Sequence, residues 1–157
     1  DATKRAQISQ SFLDGATGIL NSSLDYNSTL QSVADLAATE LGDWCGVDIA
    51  DETGSLHNVA VAHRDPSMVH LARDFRRRYP VDMSAEKGAP KVFRTGEPLF
   101  VPDIPDEILV RSARDPAHLE VLRRLQLHSL MVVPIPGKDH TLGTLTLVQS
   151  RPERRYD

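Results

Sequence analysis

The chain has 157 residues, a formal net charge of −4 and one cysteine. This length suits one domain with a sizeable core, and the acidic balance excludes a general attraction to nucleic acid or to an anionic membrane surface. No uncharged run approaches the roughly 18 residues that a membrane span needs. The lone Cys45 cannot form an internal disulfide, which fits the reducing conditions of the cytoplasm.

The N-terminal part of the sequence predicts two helices followed by two strands. Apolar residues recur at helical spacing over residues 3–22, which predicts a connector helix. A second helix is predicted between Asp25, which can cap it, and Gly42, which can end it. The hydrophobic period then changes to two, and the sequence predicts strands over residues 44–50 and 56–63, joined by a turn.

The segment over residues 64–128 is long, irregular and mostly helical. We call it the roof segment, because it must cover one face of the sheet. It contains two aspartate-proline pairs, which begin at Asp65 and Asp115, and each pair predicts an N-cap followed by proline at the first helical position. Between the helices that these pairs open, the sequence predicts a loop, short helices with a stop at Gly96, and a brief strand over residues 99–101.

The last third of the chain predicts a central hairpin. Residues 129–135 and 141–148 are two uncharged, largely aliphatic runs separated by a polar turn. Such strands belong in the interior of a sheet. In the second strand threonines and leucines alternate, so one face is apolar and the other is rich in threonine. We expect Leu145 and Leu147 to lie in the core, whereas the threonine face and Met131 are candidates to line a pocket.

Hairpins at both ends of the chain, without alternating strand and helix units, favour an antiparallel sheet over a parallel one. The predicted fold class is α+β, with a central antiparallel sheet of roughly five to six strands and helices on both faces. The roof segment is expected to cover one face and the N-terminal helices the other. This arrangement has three α/β/α layers.

Five stretches of sequence, taken in their order, carry a family resemblance. They are Ser23-Leu-Asp25, Asp43-Trp-Cys-Gly-Val-Asp48, Arg94-Thr-Gly-Glu-Pro-Leu-Phe-Val-Pro-Asp103, Leu127-His-Ser-Leu-Met-Val-Val-Pro-Ile135 and Leu142-Gly-Thr-Leu-Thr-Leu147. Over nearly the whole chain this succession resembles a GAF domain. The resemblance implies a GAF/PAS-like (profilin-like) fold of the kind found in bacterial sensor histidine kinases and in serine phosphatases of the stage-II-sporulation type.

The resemblance also implies a role. It points to a regulatory, non-catalytic sensor domain in a cytoplasmic bacterial signalling protein, such as the sensor histidine kinase of a two-component system. Such a domain binds a small molecule or a partner domain and relays the change to a C-terminal kinase or phosphatase, and the full-length protein is expected to be a homodimer. Because the chain starts at Asp1 and stops before the family's last long helix, we interpret residues 1–157 as one GAF domain excised from a larger multidomain protein.

In GAF domains a small ligand lies between the roof and the sheet. Carried onto this chain, the resemblance implies a pocket lined by Trp44, Asp48, Ala60, Ala62, Phe75, Phe93, Val101, Asp103, Leu122, Ser129 and Met131. Small alanines leave room, aromatic rings supply contact area, and polar groups orient the ligand. Alternatively, the same residues pack a core without a ligand, and the domain is a dimerisation and coupling module. In that case it is expected to associate through residues 3–22 together with the family's last long helix.

The sequence also bears on a catalytic role for Cys45 and on the binding of a bilin cofactor. A second alternative is a redox enzyme that uses Cys45, but a thiol in the middle of an apolar strand is usually inert. Bilin-carrying GAF domains have a Cys-His pair before the penultimate strand, where this chain has Ala117 and His118. The absent cysteine argues against covalent bilin, and His118 is expected at the surface or as a capping residue. The sequence does not identify a cofactor.

Histidines and arginines are the candidates for metal and anion binding in this sequence. His57 and His63 are six residues apart on one strand, which predicts a common face, but no histidine spacing matches a zinc site and none is predicted. The arginines Arg73, Arg76 and Arg77 are expected on the solvated face of a helix. A further option is that they meet an anionic ligand at the roof of the pocket.

Overall fold

The computed structural model describes residues 26–150. In chain order its elements are α1 (Tyr26–Glu40), β1 (Trp44–Ala50), β2 (Leu56–His63), a 3-10 helix (Pro66–Met68), α2 (Val69–Arg78), α3 (Ala89–Thr95), β3 (Leu99–Val101), α4 (Asp106–Ser112), α5 (Pro116–Arg124), β4 (Ser129–Pro136) and β5 (Thr141–Gln149). Residues 3–22, with the predicted connector helix and dimerisation surface, and the predicted cap Asp25 lie outside the described part. Within that part, every helix is too short or too polar to cross a membrane.

The five described strands form one antiparallel sheet in the order β2-β1-β5-β4-β3. The hairpin of β4 and β5 occupies interior positions, as the uncharged sequence of both strands predicted. The edges are β2 and the short β3. The predicted α+β fold with a central antiparallel sheet is therefore confirmed.

Helix α1 covers one face of the sheet and contacts β1 and β2. The core on this side, which we call the α1 core, consists of Leu30, Val33, Ala34, Ala37, Ala38, Cys45, Val47, Ala60, Ala62, Met131, Val133, Ile135, Leu145 and Leu147. The predicted core positions of Leu145 and Leu147 are confirmed. Burial of each large aliphatic side chain contributes about 1.5–3 kcal/mol before the entropy of the chain is counted.

The roof segment covers the opposite face, which we call the roof face. A second core joins Trp44 of β1, Val61 of β2 and Val148 of β5 to Ala72 of α2 and to Leu125, directly after α5. The indole Nε1–H of Trp44 also donates to the carbonyl of Leu125 at 3.1 Å. Helix α3 contacts β4 and β5, and α4 packs against α5. The sheet thus lies between α1 and the roof helices, as the three-layer prediction stated.

Strand β2 contains a bulge. Its register with β1 shifts between Val47 and Asp48, and β2 contributes one extra residue at this point. Because an extra residue reverses the alternation of faces, the predicted common face of His57 and His63 is wrong. The His63 ring packs edge-on against Trp44 with ring centroids 4.1 Å apart, whereas His57 lies on the other face.

Three predicted boundaries of helices are confirmed. The carboxylate of Asp65 accepts a hydrogen bond from the Ser67 N–H and caps the 3-10 helix. The carboxylate of Asp115 accepts one from the His118 N–H and caps α5. Gly96 ends α3 in the left-handed region with φ of 72°. At such a φ glycine avoids the steric cost that other residues incur.

Candidate functional site

A row of three polar side chains crosses the roof face of the sheet. Asn58 of β2, Asp48 of β1 and Thr144 of β5 lie at the same level, because Asp48 pairs with both of the other residues. Asp48 and Thr144 are fully buried, each with 0% exposure. We call these three residues the polar row. Polar groups buried so deeply need hydrogen-bond partners, and those partners define the site.

Arg76 of α2 reaches the polar row from the roof side. It donates from Nη2 to Oδ1 of Asp48 at 2.7 Å and from Nη1 to Oδ2 at 3.2 Å. The amide of Asn58 donates to the same Oδ1 at 3.3 Å. Both carboxylate oxygens of Asp48 are therefore engaged, and a bidentate ion pair joins α2 to the centre of the sheet.

The prediction that Arg76 lies on a solvated face is wrong. Arg76 follows Ala72 by four residues, so it stands on the inward stripe of α2 together with Phe75, and its side chain is only 24% exposed. Arg73 and Arg77 are exposed, as predicted. The sequence did carry the signal, because an aspartate within an apolar strand needs a cationic partner and Arg76 is the arginine on the stripe that faces it.

Thr144 is the least satisfied member of the polar row. Its Oγ1 is buried and forms no hydrogen bond with any group of residues 26–150. Buried hydroxyls are normally bonded, so this oxygen has an unused capacity for a hydrogen bond beneath the roof. Its position also shows that the threonine face of β5 meets the roof segment while the leucine face meets α1.

Part of the predicted pocket lies on the roof side. These residues, on the roof face or in the roof segment, are Trp44, Asp48, Phe75, Phe93, Val101, Asp103 and Leu122. Trp44 and Phe75 share the roof-face core. Leu122 is buried on α5, whereas Asp103 is exposed in the loop after β3. These side chains stay candidates for contact with a ligand.

Four predicted pocket residues lie on the opposite face of the sheet. Ala60, Ala62 and Met131 belong to the α1 core, and Ser129 precedes Met131 by two residues and so shares its face. The geometry corrects the predicted floor at these positions. The register of the central hairpin explains the error: Met131 pairs with Leu147, and paired residues share a face, so a core Leu147 requires a core Met131.

His118 of α5 lies in an aromatic cluster. The expectation that it lies at the surface is wrong, because its side chain stacks on Tyr79 with ring centroids 4.1 Å apart and approaches Phe75 at 5.2 Å. Its Nδ1 accepts a hydrogen bond from the backbone N–H of Arg114 at 2.9 Å. This hydrogen bond requires an unprotonated Nδ1 and so favours the neutral imidazole, and the cluster fastens α5 to α2 within the roof.

We expect the domain to lose stability as the pH falls below about 6.5. Burial, followed by the charge of Arg114, lowers the pKa of His118, and burial also lowers that of His63. In this range the unfolded chain binds more protons than the folded one, so the free energy of unfolding decreases until the pH passes the folded-state pKa values. Urea denaturation at pH 7.5 and at pH 5.5 measures the loss.

A variant and a matched control isolate the contribution of His118. His118→Gln keeps an acceptor for Arg114 but cannot titrate, so it should reduce the difference in unfolding free energy between the two pH values. His140→Gln, at an exposed position between β4 and β5, should leave that difference as in the unaltered chain. Equal pH dependence in all three proteins would contradict the assignment.

A groove opens between the edge strand β2 and helix α2. It has a volume of about 410 Å³. Its lining is formed by five consecutive residues of β2 and three arginines of α2: His57, Asn58, Val59, Ala60, Val61, Arg73, Arg76 and Arg77. Asn58 and Arg76 belong both to this β2–α2 groove and to the interactions of the polar row, so the groove leads from solvent to the buried Asp48.

Other candidate chemistry has less support from the geometry. Cys45 is 1% exposed in the α1 core, and burial raises the pKa of its thiol, which makes it a poor nucleophile. This placement argues against a redox enzyme that uses Cys45. Among residues 26–150, no three His, Cys, Asp or Glu side chains gather as a metal site would require.

The sequence matches a known family. Residues 25–157 match the family model described as the GAF domain. This match includes all five strands, all the roof helices and α1. No curated protein matches the chain.

Solved GAF domains share the fold. The GAF domain of a phosphoenolpyruvate-protein phosphotransferase (ptsP) from Coxiella burnetii has 20% identity and a TM-score of 0.62, over 94% of this chain and 80% of that one. The A. aeolicus nlh2 GAF domain in an inactive state has 18% identity and a TM-score of 0.57, over 88% and 77%. The second GAF domain of DevS from Mycobacterium smegmatis has 16% identity and a TM-score of 0.53, over 83% and 79%.

Proposed function

The chain belongs to the GAF domain family, and from this premise we propose that it is a regulatory sensor domain of a cytoplasmic bacterial signalling protein. In this proposal the domain performs no chemistry. It binds a small molecule between the roof segment and the sheet, and it relays the resulting change to a C-terminal kinase or phosphatase.

The observation that carries the proposal is the polar row beneath the roof. A domain that served only to couple its neighbours would gain most stability from an apolar interface between roof and sheet. Here that interface contains a buried Asp48–Arg76 ion pair and the unsatisfied hydroxyl of Thr144. Buried ionic and polar groups of this kind add little net stability and are typical of sites that orient a ligand.

The same contacts suggest how binding is relayed. A ligand that bonds to Thr144 or competes with Asp48 for Arg76 changes the interaction that holds α2 on the sheet. Such a ligand shifts the equilibrium between two positions of the roof only if it binds one position more tightly than the other. The proposal therefore requires a detectable change in the roof, in addition to binding.

Trp44 fluorescence tests the proposal directly. Trp44 is the only tryptophan of the chain, and its indole joins β1 to the end of α5, so its emission reports movement of the roof. In a screen of metabolites we expect at least one chemical class to shift both the emission and the thermal melting temperature. If no compound shifts the emission, the sensory role is contradicted.

Two threonine variants serve as probe and control. Thr144→Val removes the unsatisfied hydroxyl at nearly constant volume and should weaken the response by about tenfold, as expected for the loss of one buried hydrogen bond. Thr146→Val, two residues away on the same face of β5 and only half-buried, should change the response much less. Equal effects of the two variants would exclude the polar row from the ligand site.

A further inference from the structure

The β2–α2 groove has an unusual concentration of positive charge. Three arginines from one helix line it, and its opposite wall is the edge strand of the sheet. Of these arginines, Arg76 pairs with the buried Asp48. Arg77 has only a distant and exposed contact with Asp74 at 3.8 Å. Among the described residues Arg73 pairs with no carboxylate, so the groove keeps an excess of positive charge at its mouth.

The second wall of the groove is the outer side of the edge strand β2. Because β2 is the last strand of the sheet, one side of its backbone pairs with none of the described strands. One such group, the carbonyl of Val61, accepts a hydrogen bond from Gln31 Nε2 of α1 at 3.0 Å. Further along the groove, the amide group of Asn58 stands beside Asp48. The Val61 carbonyl and the Asn58 amide nitrogen are thus engaged within the protein. The three arginine forks on the opposite wall are the groups that suit a ligand with planar acidic groups.

We propose that the β2–α2 groove binds a small organic anion that carries carboxylate or phosphate groups, with Arg73, Arg76 and Arg77 as its cationic contacts. This proposal rests on the proposed sensory function and names the chemical class of the ligand. The volume of about 410 Å³ is within the range of small-molecule sites. An anion that reaches Arg76 shares this guanidinium with Asp48, which couples the groove to the polar row.

Nuclear magnetic resonance of the ¹⁵N-labelled chain tests the proposal. The two probes are citrate for carboxylates and inorganic pyrophosphate for phosphates, each at low ionic strength, with sodium chloride as the reference for general salt effects. With at least one probe we expect saturable shifts of the backbone amides of residues 57–61 and of the Arg76 Nε–H. The probe that saturates at the lower concentration identifies the preferred acidic group.

Paired arginine variants distinguish a specific site from general attraction. Arg73→Gln with Arg77→Gln removes two exposed charges from the groove and should weaken binding at least tenfold. Arg111→Gln with Arg124→Gln removes the same charge from exposed positions on α4 and α5 and should weaken it less than twofold. Equal weakening by the two pairs, or no saturable shift at residues 57–61 with either probe, overturns the proposal.

The outcomes also separate this proposal from the sensory function. Suppose that a metabolite shifts Trp44 emission and binds the double variant Arg73→Gln with Arg77→Gln at full affinity. This result overturns the anion groove and leaves the sensory role supported. Citrate or pyrophosphate that binds in the groove without a change in Trp44 emission supports the groove and counts against the relay.

Discussion

Replacement of Gly143 by alanine should destabilise the domain strongly. A Cβ at this position would lie 1.9 Å from the carbonyl oxygen of Asp48 and 2.9 Å from the Cα of Ile49. Both atoms belong to the backbone of β1, so no side-chain rotation relieves the overlap, and β5 must separate from β1. We expect a loss of at least about 3 kcal/mol, at the upper end of overpacking effects.

Gly46→Ala is the matched control. Gly46 lies on β1, pairs with both β2 and β5, and its added Cβ would meet only the Asn58 side chain at 3.9 Å, an ordinary contact. Alanine should therefore fit there and leave stability unchanged or raise it by about 0.4–1 kcal/mol, because it restricts the unfolded chain. Thermal denaturation should separate the two variants by about 6–12 °C or more. Similar melting temperatures would show that β1 and β5 are further apart than the structure has them.

Local patterns in the sequence were enough to predict the layers of this fold. The uncharged runs of β4 and β5 indicated interior strands, and the aspartate-proline pairs at Asp65 and Asp115 indicated where roof helices begin. Each of these signals depends only on neighbouring residues and on whether the segment is buried. Their effect is therefore the same wherever the segment lies in the fold. The assignment of Thr144 to one face and Leu145 to the other followed from the same alternation.

The candidate site was harder to predict because it depends on register between distant segments. Met131 was placed on the pocket side, although its partner across the hairpin, Leu147, was already assigned to the core. The bulge in β2, next to Asn58, reversed the faces of His57 and His63, and the alternation of residues along the strand did not indicate it. A shift of one residue moves a side chain to the opposite face, so small errors of register decide which residues meet a ligand.

The position of Arg76 was predicted wrongly for a different reason. This arginine was predicted on the outward face of its helix with Arg73 and Arg77, opposite Phe75, because charged side chains are usually solvated. The helical period placed it on the inward stripe with Phe75, and the buried Asp48 required a cation on that side. Two weak signals from segments 28 residues apart had to be combined before the ion pair could be inferred.

Asp48→Ala should destabilise the domain by about 3–5 kcal/mol, because it leaves the guanidinium of Arg76 largely buried without a counter-charge. The exposed fraction of the carboxylate is 1%, and that of Arg76 is 24%. Removal of both charges in Asp48→Ala with Arg76→Met should cost less than the sum of the two single changes, since no unpaired charge stays behind. Urea denaturation of the three variants measures this coupling.

Asp106→Ala removes from the surface a carboxylate that is also held by two hydrogen bonds from one arginine. Arg123 donates to both oxygens of Asp106, at 2.9 and 2.8 Å, but the two side chains are 52% and 58% exposed. Water and salt compensate for the loss of such a pair, so the unfolding free energy should barely change. If Asp106→Ala and Asp48→Ala lowered the unfolding free energy by the same small amount, water would reach the polar row in the folded domain. The Asp48–Arg76 pair would then be a weak link between roof and sheet, and a ligand could not use it to move α2.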